Sequence, residues 1–290
     1  MLNFHKPVMS NEVLQFLQVR VGGKYIDCTV GDGGHTIEIL KAGGMVLGFD
    51  YNAESLKRAQ NRIIAEGLER NFVAVKGNFR DINTLTKGEK FDGILYDLGY
   101  SSYQLDGMQL GLSFMKESVL DMRLDDSLGV KASDLVNTLP EKQLGALIYK
   151  YSDERLAYRF AKAIVKSRDL KKIQTTGDLV KIIVDEAPPG YEMSRIHPAT
   201  RVFQALRIAV NDELGNLQTS LPRAEHMLLP GGRMVIISFH SLEDKLVKDF
   251  GRGARLRLSE VVKGPLRPGD IEVQENVRAR SARLRVYAKI

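Results

Sequence analysis

Lys24-Tyr25-Ile26-Asp27-Cys28-Thr29-Val30 followed by Gly31-Asp32-Gly33-Gly34-His35-Thr36 reads as a strand that breaks into a turn and restarts as a helix. The first seven residues are rich in the β-branched and aromatic types that suit a pleated surface, and the glycine cluster ends them. The helix runs from Thr36 to Lys41 and stops at Gly43-Gly44. The same alternation continues downstream, with a strand at Met45–Asp50 and a helix from Ala53 to Glu66. Strands at Phe72–Val75 and Phe91–Asp97 follow. Strands alternating with helices at this spacing predict a parallel sheet with right-handed crossovers, an α/β fold.

The pattern changes after Ser102. From there to about Pro198 the chain offers helical periods and no convincing strand. Between Pro140 and Arg168, Leu144, Leu147, Ile148, Tyr151, Leu156, Phe160, Ala163 and Ile164 form a helix-type stripe. Thr175-Thr176-Gly177-Asp178 looks like a capping box opening a helix through Ile183, ahead of Pro188-Pro189-Gly190. Sheet signals then return, with a helix at Thr200–Leu217, a turn at Pro230-Gly231-Gly232 and strands at Arg233–Ser238 and Ala282–Tyr287. The organisation expected is one α/β domain, residues 1–105 and 199–290, interrupted by a helical insertion at 106–198. Repeats and low-complexity runs are absent from the sequence.

Composition narrows the class. With 290 residues, 43% hydrophobic and 27% charged, the chain can build a core and is far from a disordered composition. It has no apolar run long enough for a transmembrane helix. Its first residues lack the basic-then-apolar order of a secretory signal. A single cysteine rules out an internal disulfide and any zinc site needing two cysteines of this chain, and no metal is expected. These features predict a cytoplasmic protein without a membrane partner. The net charge of +6 is concentrated near the end: residues 251–290 hold ten Lys/Arg against four Asp/Glu. Such an excess suits a polyanion, or is a solvated basic face.

The glycine loop and the residue nineteen positions beyond Gly31 define a candidate ligand site. Glycines between a strand and a helix let backbone N–H groups approach a ligand, and Asp50, ending the second strand, can accept both hydroxyls of a ribose. Thr36 stands where a dinucleotide fingerprint needs its last glycine, and the loop lacks the Gly-Lys-Ser/Thr of a Walker A motif. A nucleoside ligand without pyrophosphate is left, and S-adenosylmethionine fits. At the end of the fourth strand, Asp97-Leu98-Gly99-Tyr100-Ser101-Ser102 faces the same edge. A carboxylate, a carbonyl and hydroxyls there could orient an amine for in-line methyl transfer, or simply cap the next segment. Carbon methylation through a thiolate is disfavoured, because Cys28 lies inside the first strand.

Several longer strings resemble one family. They are His5-Lys6-Pro7-Val8-Met9, Val30 to Thr36, Asp97-Leu98-Gly99, Ser101-Ser102, Gln104-Leu105-Asp106 and Leu120-Asp121-Met122-Arg123. Downstream come His197-Pro198-Ala199-Thr200-Arg201, Phe203 to Asn211, Ser238 to Asp244 and Arg278 to Ala282. In this order they are similar to the bacterial small-subunit ribosomal RNA cytidine N4-methyltransferases (RsmH, also called MraW). The resemblance implies a class I methyltransferase fold, a Rossmann-like parallel sheet whose insertion is a helical substrate-recognition domain. It also implies methyl transfer from S-adenosyl-L-methionine to N4 of a cytidine in the decoding region of 16S ribosomal RNA, with the small ribosomal subunit as partner and a homodimer left open.

Position by position, the resemblance implies cofactor contacts at Gly33, Gly34, His35, Asp50, Phe79, Asp97 and Gln104, with Phe79 stacking on adenine. Asp97 and Ser101 are the expected catalytic residues. Substrate contacts are expected at His197, Arg201, Gln204, Arg207, Asn211, His240 and Arg280. On the helix from Thr200, Phe203, Leu206, Val210, Leu214 and Leu217 form an apolar stripe, and Thr200, Gln204, Arg207 and Asn211 form a second, polar stripe. That stripe is either a solvated face or a site wall. The chain departs from the family pattern at Tyr100, at Lys116–Val119, at Val277 and in a short segment between Phe250 and Pro265. A methyltransferase for another amine, in DNA or protein, and a noncatalytic RNA-binding assembly factor are the alternatives.

Overall fold

A computed structural model describes residues 7–100, 110–191 and 196–290 of the chain. The chain forms two compact units, Met1–Ser101 with Leu214–Ile290, and Ser102–Glu213. The expected return to the first domain at 199 thus precedes the observed return, at Leu214, by one helix.

The first unit is built on a sheet of seven strands among the described residues: β1 (Lys24–Asp27), β2 (Met45–Asp50), β3 (Phe72–Lys76), β4 (Phe91–Asp97), β5 (Leu228–Ser238), β6 (Leu258–Glu260) and β7 (Arg283–Lys289). Their order is β3-β2-β1-β4-β5-β7-β6. The first five run parallel, with Ile26 beside both Leu47 and Ile94, and Asp97 beside Ile237. β7 is antiparallel to β5 and to β6, so the expected parallel sheet gains an antiparallel edge. Pro230-Gly231-Gly232, read as a turn, instead makes an irregularity within β5: Leu228 pairs with Phe91, and Arg233 already pairs with Gly93.

Helices cover both faces of this sheet. They are α1 (Ser10–Leu17), α2 (Gly34–Lys41), α3 (Ala53–Ala65) and the short α4 (Ile82–Leu85). The second unit carries α5 (Ala132–Thr138), α6 (Glu141–Ser152), α7 (Ala157–Arg168), α8 (Thr176–Glu186) and α9 (Thr200–Asn211). α10 (Glu213–Met227), α11 (Ser241–Gly253) and α12 (Asp270–Glu275) complete the set. Strand residues alternate between the two cores, as a period of two requires. Ile26, Ile94, Tyr96, Met234 and Ile236 pack with Leu217 and Leu221 of α10 and Val247 of α11. Tyr25, Leu95, Val235 and Ile237 pack with Val13 and Leu17 of α1 and Ile37 and Leu40 of α2. Among the described residues, no helix is long and apolar enough to cross a membrane.

In the second unit, α6 packs on α7 and α9, and α7 on α8. The capping box expected at Thr175 is present, with Thr175 accepting from the Asp178 N–H and Asp178 from the Thr175 N–H, and its helix extends to Glu186. The expected helix Thr200–Leu217 is two helices. Asp212 sits in the left-handed region with φ 47°, ending α9, and α10 starts at once. The stripe from Pro140 to Arg168 is likewise divided at Asp153, φ 51°.

Candidate active site

The site in the first unit grows from the carboxyl ends of β1, β2 and β4. Strand order reverses between β1 and β4, the place where open α/β sheets leave a crevice for a ligand. Gly33 caps α2 with φ 80°, a left-handed conformation in which glycine carries no Cβ strain, and a Cβ there would meet the Cβ of Ala59 at 3.2 Å. Two buried carboxylates brace this turn. Asp27, 1% exposed, accepts from the Thr29 N–H at 3.0 Å and from the Thr36 hydroxyl at 2.7 Å, tying β1 to α2. Asp50 accepts from the Gly31 N–H at 2.9 Å and from the Asn52 N–H at 2.8 Å. Burial pushes the Asp50 carboxyl up to about 6, although its two backbone donors oppose the rise.

Asp97 receives no such bracing on its side chain. Its backbone N–H donates to the Thr29 hydroxyl at 2.7 Å. Oδ1 is buried with no hydrogen-bond partner, and Oδ2 lies 3.5 Å from His35 Nε2. His35 is itself buried, and neither ring nitrogen makes a hydrogen bond. Buried polar atoms are almost always paired in folded proteins, so orphaned atoms on two neighbouring side chains mark a place built for a polar ligand. Beyond Asp97, a Cβ on Gly99 would lie 2.8 Å from the Phe239 ring, so the glycine lets the β4 turn lie flat on Phe239.

The structure therefore brings Gly33, Gly34, His35, Asp50 and Asp97 to one edge. Phe79 is elsewhere in its packing: it is 9% exposed, meets Tyr96 edge-on at 5.6 Å and sits in the core beneath α10. Ser101 and Gln104 lie outside the described residues. His240 caps α11, its Nδ1 accepting from the Glu243 N–H, while Glu243 returns the bond to the His240 N–H. Arg280 is exposed on a short 3-10 turn. Cys28 is a buried free thiol, and burial raises its pKa well above the usual value. Asp27, the last residue of β1, is the buried carboxylate that sequence reasoning missed, because a strand read as running on to Val30 hides the aspartate in its middle.

The expected substrate residues of the second unit divide by environment. His197 is exposed, stacked at 4.8 Å on Phe114. Arg201 Nη1 lies 4.0 Å from Oε2 of Glu154, which is fully buried. Gln204 donates to the Tyr151 carbonyl at 3.2 Å. Arg207 makes a two-pronged pair with Glu213 at 3.0 and 3.2 Å. Asn211 is buried, donating to the Met122 carbonyl and accepting from the Leu124 N–H, both at 2.9 Å. The polar stripe of α9 is thus neither a plain solvated face nor an open wall. Gln204, Arg207 and Asn211 hold neighbouring chain in place.

The profile of the MraW methylase family matches residues 3–290. The chain belongs to the MraW methylase family. Relatives within it include the protein of Carboxydothermus hydrogenoformans named Ribosomal RNA small subunit methyltransferase H, 43% identical over 307 residues, covering 99% of this chain and 98% of that protein. The protein of the same name from Geobacter sulfurreducens is 44% identical over 309 residues, covering 99% of both. A solved structure of an rRNA methylase from Streptococcus thermophilus aligns over 96% of this chain and 95% of its own, with a TM-score of 0.47 and 10% identity. In this MraW methylase the Gly33 turn, Asp50 and Asp97 share one strand edge, and the thiol of Cys28 is buried.

Proposed function

We propose that this protein transfers a methyl group from S-adenosylmethionine to N4 of a cytidine in small-subunit ribosomal RNA, acting in the cytoplasm. The observation that carries the reading is the orphaned Oδ1 of Asp97 beside the unpaired His35 ring, at the strand edge that also holds the Gly33 turn and Asp50. The names of relatives more than 40% identical over nearly the whole chain supply the substrate class.

S-adenosylmethionine supplies an electrophilic methyl on a positively charged sulfur. The rest falls to this chain. Asp50 keeps free lone pairs on both oxygens beyond its two backbone donors, enough to accept a ribose diol. Asp97 Oδ1 offers an acceptor for an ammonium group, and the donors at the start of α2 suit a carboxylate. The acceptor amine of a cytidine attacks without a protein nucleophile, so the inert state of Cys28 is compatible with nitrogen and not with carbon as the methylated atom. The nitrogen proton is lost after transfer. Ser101 is proposed to orient the amine through its hydroxyl.

The test is incubation of the purified protein with small ribosomal subunits and labelled S-adenosylmethionine, followed by digestion to nucleosides. Label on cytidine N4 is expected. Label only on a sugar hydroxyl or a base carbon overturns the assignment, and RNA binding without label supports a noncatalytic factor.

A further inference from the structure

From Arg155 to Arg168 the chain carries five cations, Arg155, Arg159, Lys162, Lys166 and Arg168, and no Asp or Glu. The structure resolves this run into two jobs. Arg168 turns inward and donates to the carbonyls of Val136 and Leu139 at 2.9 and 2.8 Å. Arg159 pairs with Glu186 at 2.6 Å. Arg155, Lys162 and Lys166 are exposed, and among the described residues no carboxylate pairs with them. Arg155 lies in the turn just before α7, and positions 159, 162 and 166 recur every three or four residues, which puts those three on one side of the helix. Acidic residues flank the run only at its ends, Asp153 and Glu154 before it and Asp169 after it.

Beside this cationic face stand two exposed tyrosines. Tyr158, at the start of α7, is 55% exposed, and Tyr149 of α6 is 54% exposed. Tyr158 lies against the backbone of Gly145, where an added Cβ would come within 2.5 Å of the ring. Gly145 and Tyr149 are four residues apart on α6, so the two rings border the same seam between α6 and α7. The hydrophobic effect favours covering such rings, and a stacking partner gains most from their flat faces.

We infer that the outer face of α7, with Tyr149 and Tyr158, docks a single strand of the RNA substrate. The inference rests on the proposed function and names a surface for it in the second unit. Cations spaced along a helix neutralise backbone phosphates, and aromatic faces stack bases without reading their sequence. The combination fits RNA better than an acidic protein, which would use the cations and leave the rings in water.

The experiment uses the full chain, with fluorescent single-stranded ribosomal RNA fragments, small subunits and vesicles of acidic phospholipid as probes. In the triple variant Arg155→Gln, Lys162→Gln, Lys166→Gln, the log–log slope of RNA binding against salt is expected to fall by about 2. In Tyr149→Ala, Tyr158→Ala, affinity is expected to drop about tenfold or more with the slope unchanged, whereas the Phe pair keeps wild-type affinity. In both variants the KM for small subunits rises while kcat and cofactor affinity hold. Wild-type slope and affinity in both, in an enzyme that still methylates its RNA, overturn the inference, as does vesicle binding that is lost in place of RNA binding. Should the wild-type protein methylate no RNA while the variants still lose RNA affinity, the proposed function fails and the docking face stands.

Discussion

Gly31 donates its N–H to Asp50 Oδ2 at 2.9 Å, across nineteen positions of sequence. The bond fastens the glycine turn after β1 to the end of β2, and it fixes the carboxylate proposed to accept the ribose hydroxyls.

Titration of Asp50 gives the first prediction. Its folded value of about 6 lies above its ordinary value of 3.8. Without ligand the folded state binds this proton more tightly than the unfolded chain does. The group therefore favours the fold most below about pH 4, and that advantage is lost as pH rises through about 6. Ribose hydroxyls donate to the ionised form and stabilise it. Cofactor affinity should consequently strengthen between about pH 5 and about pH 7. Calorimetric titration with S-adenosylhomocysteine across this range checks it. Asp50→Asn should weaken binding by about 1–3 kcal/mol and flatten the pH dependence.

Asp97 is the second. Asp97→Asn keeps the shape but removes the charge facing an ammonium group, and a loss of about 1–3 kcal/mol in cofactor affinity is expected with little change in melting temperature. Unaltered affinity on titration would remove Asp97 from the cofactor site.

A third concerns the C-terminal half of the sheet. Asp244 accepts from Arg285 at 2.7 Å and from Arg283 at 3.0 Å, with Arg285 buried. Burial alone would raise the Asp244 carboxyl, but the two guanidinium groups outweigh it and hold the pKa below the ordinary value. Its contribution to stability is present above the unfolded value near 4 and fades as pH falls below it. Asp244→Ala leaves the buried Arg285 with only the more distant Glu260 carboxylate, at 3.5 Å, and denaturant unfolding should show a loss of about 3 kcal/mol.

Those ion pairs also redistribute the basic C-terminal segment. Arg257 and Lys289 bind Glu225, and Arg283 and Arg285 bind Asp244, so four of its ten cations stabilise the fold. Arg267 and Arg280 are exposed. Arg267→Gln with Arg280→Gln should lower the salt slope of RNA binding by about 1 to 2 without altering stability. An identical slope would mean that this segment does not touch phosphate.

Cys28→Ala supplies a fifth measurement. Methyl transfer should survive within a few fold, because the thiol is buried and protonated. Abolished activity in a protein that still folds would reopen carbon methylation.

Much of the sheet was legible because parallel strands are short apolar runs closed by turn residues, and β1 to β4 follow that rule. The break at Asp212 was not, since Phe203, Leu206, Val210, Leu214 and Leu217 keep helical spacing straight through it. Nor can a strand's apolar run reveal its direction: β7 was expected at Ala282–Tyr287, is found at Arg283–Lys289, and runs antiparallel. Within the site, Asp50 and Asp97 showed themselves by ending strands beside glycines. His240, Arg207 and Asn211 did not reveal their caps and clamps, because a helix period identifies a face and not the loop that covers it.

The placement of β7 between β5 and β6 has a consequence for how the protein is made. The early strands β1 to β4 can pair while the chain is still being synthesised, but β5 lacks its second neighbour until Lys289 has left the ribosome. A nascent chain therefore carries a half-finished sheet with an open, hydrogen-bond-hungry border, and the late arrival of one seven-residue segment is what seals it.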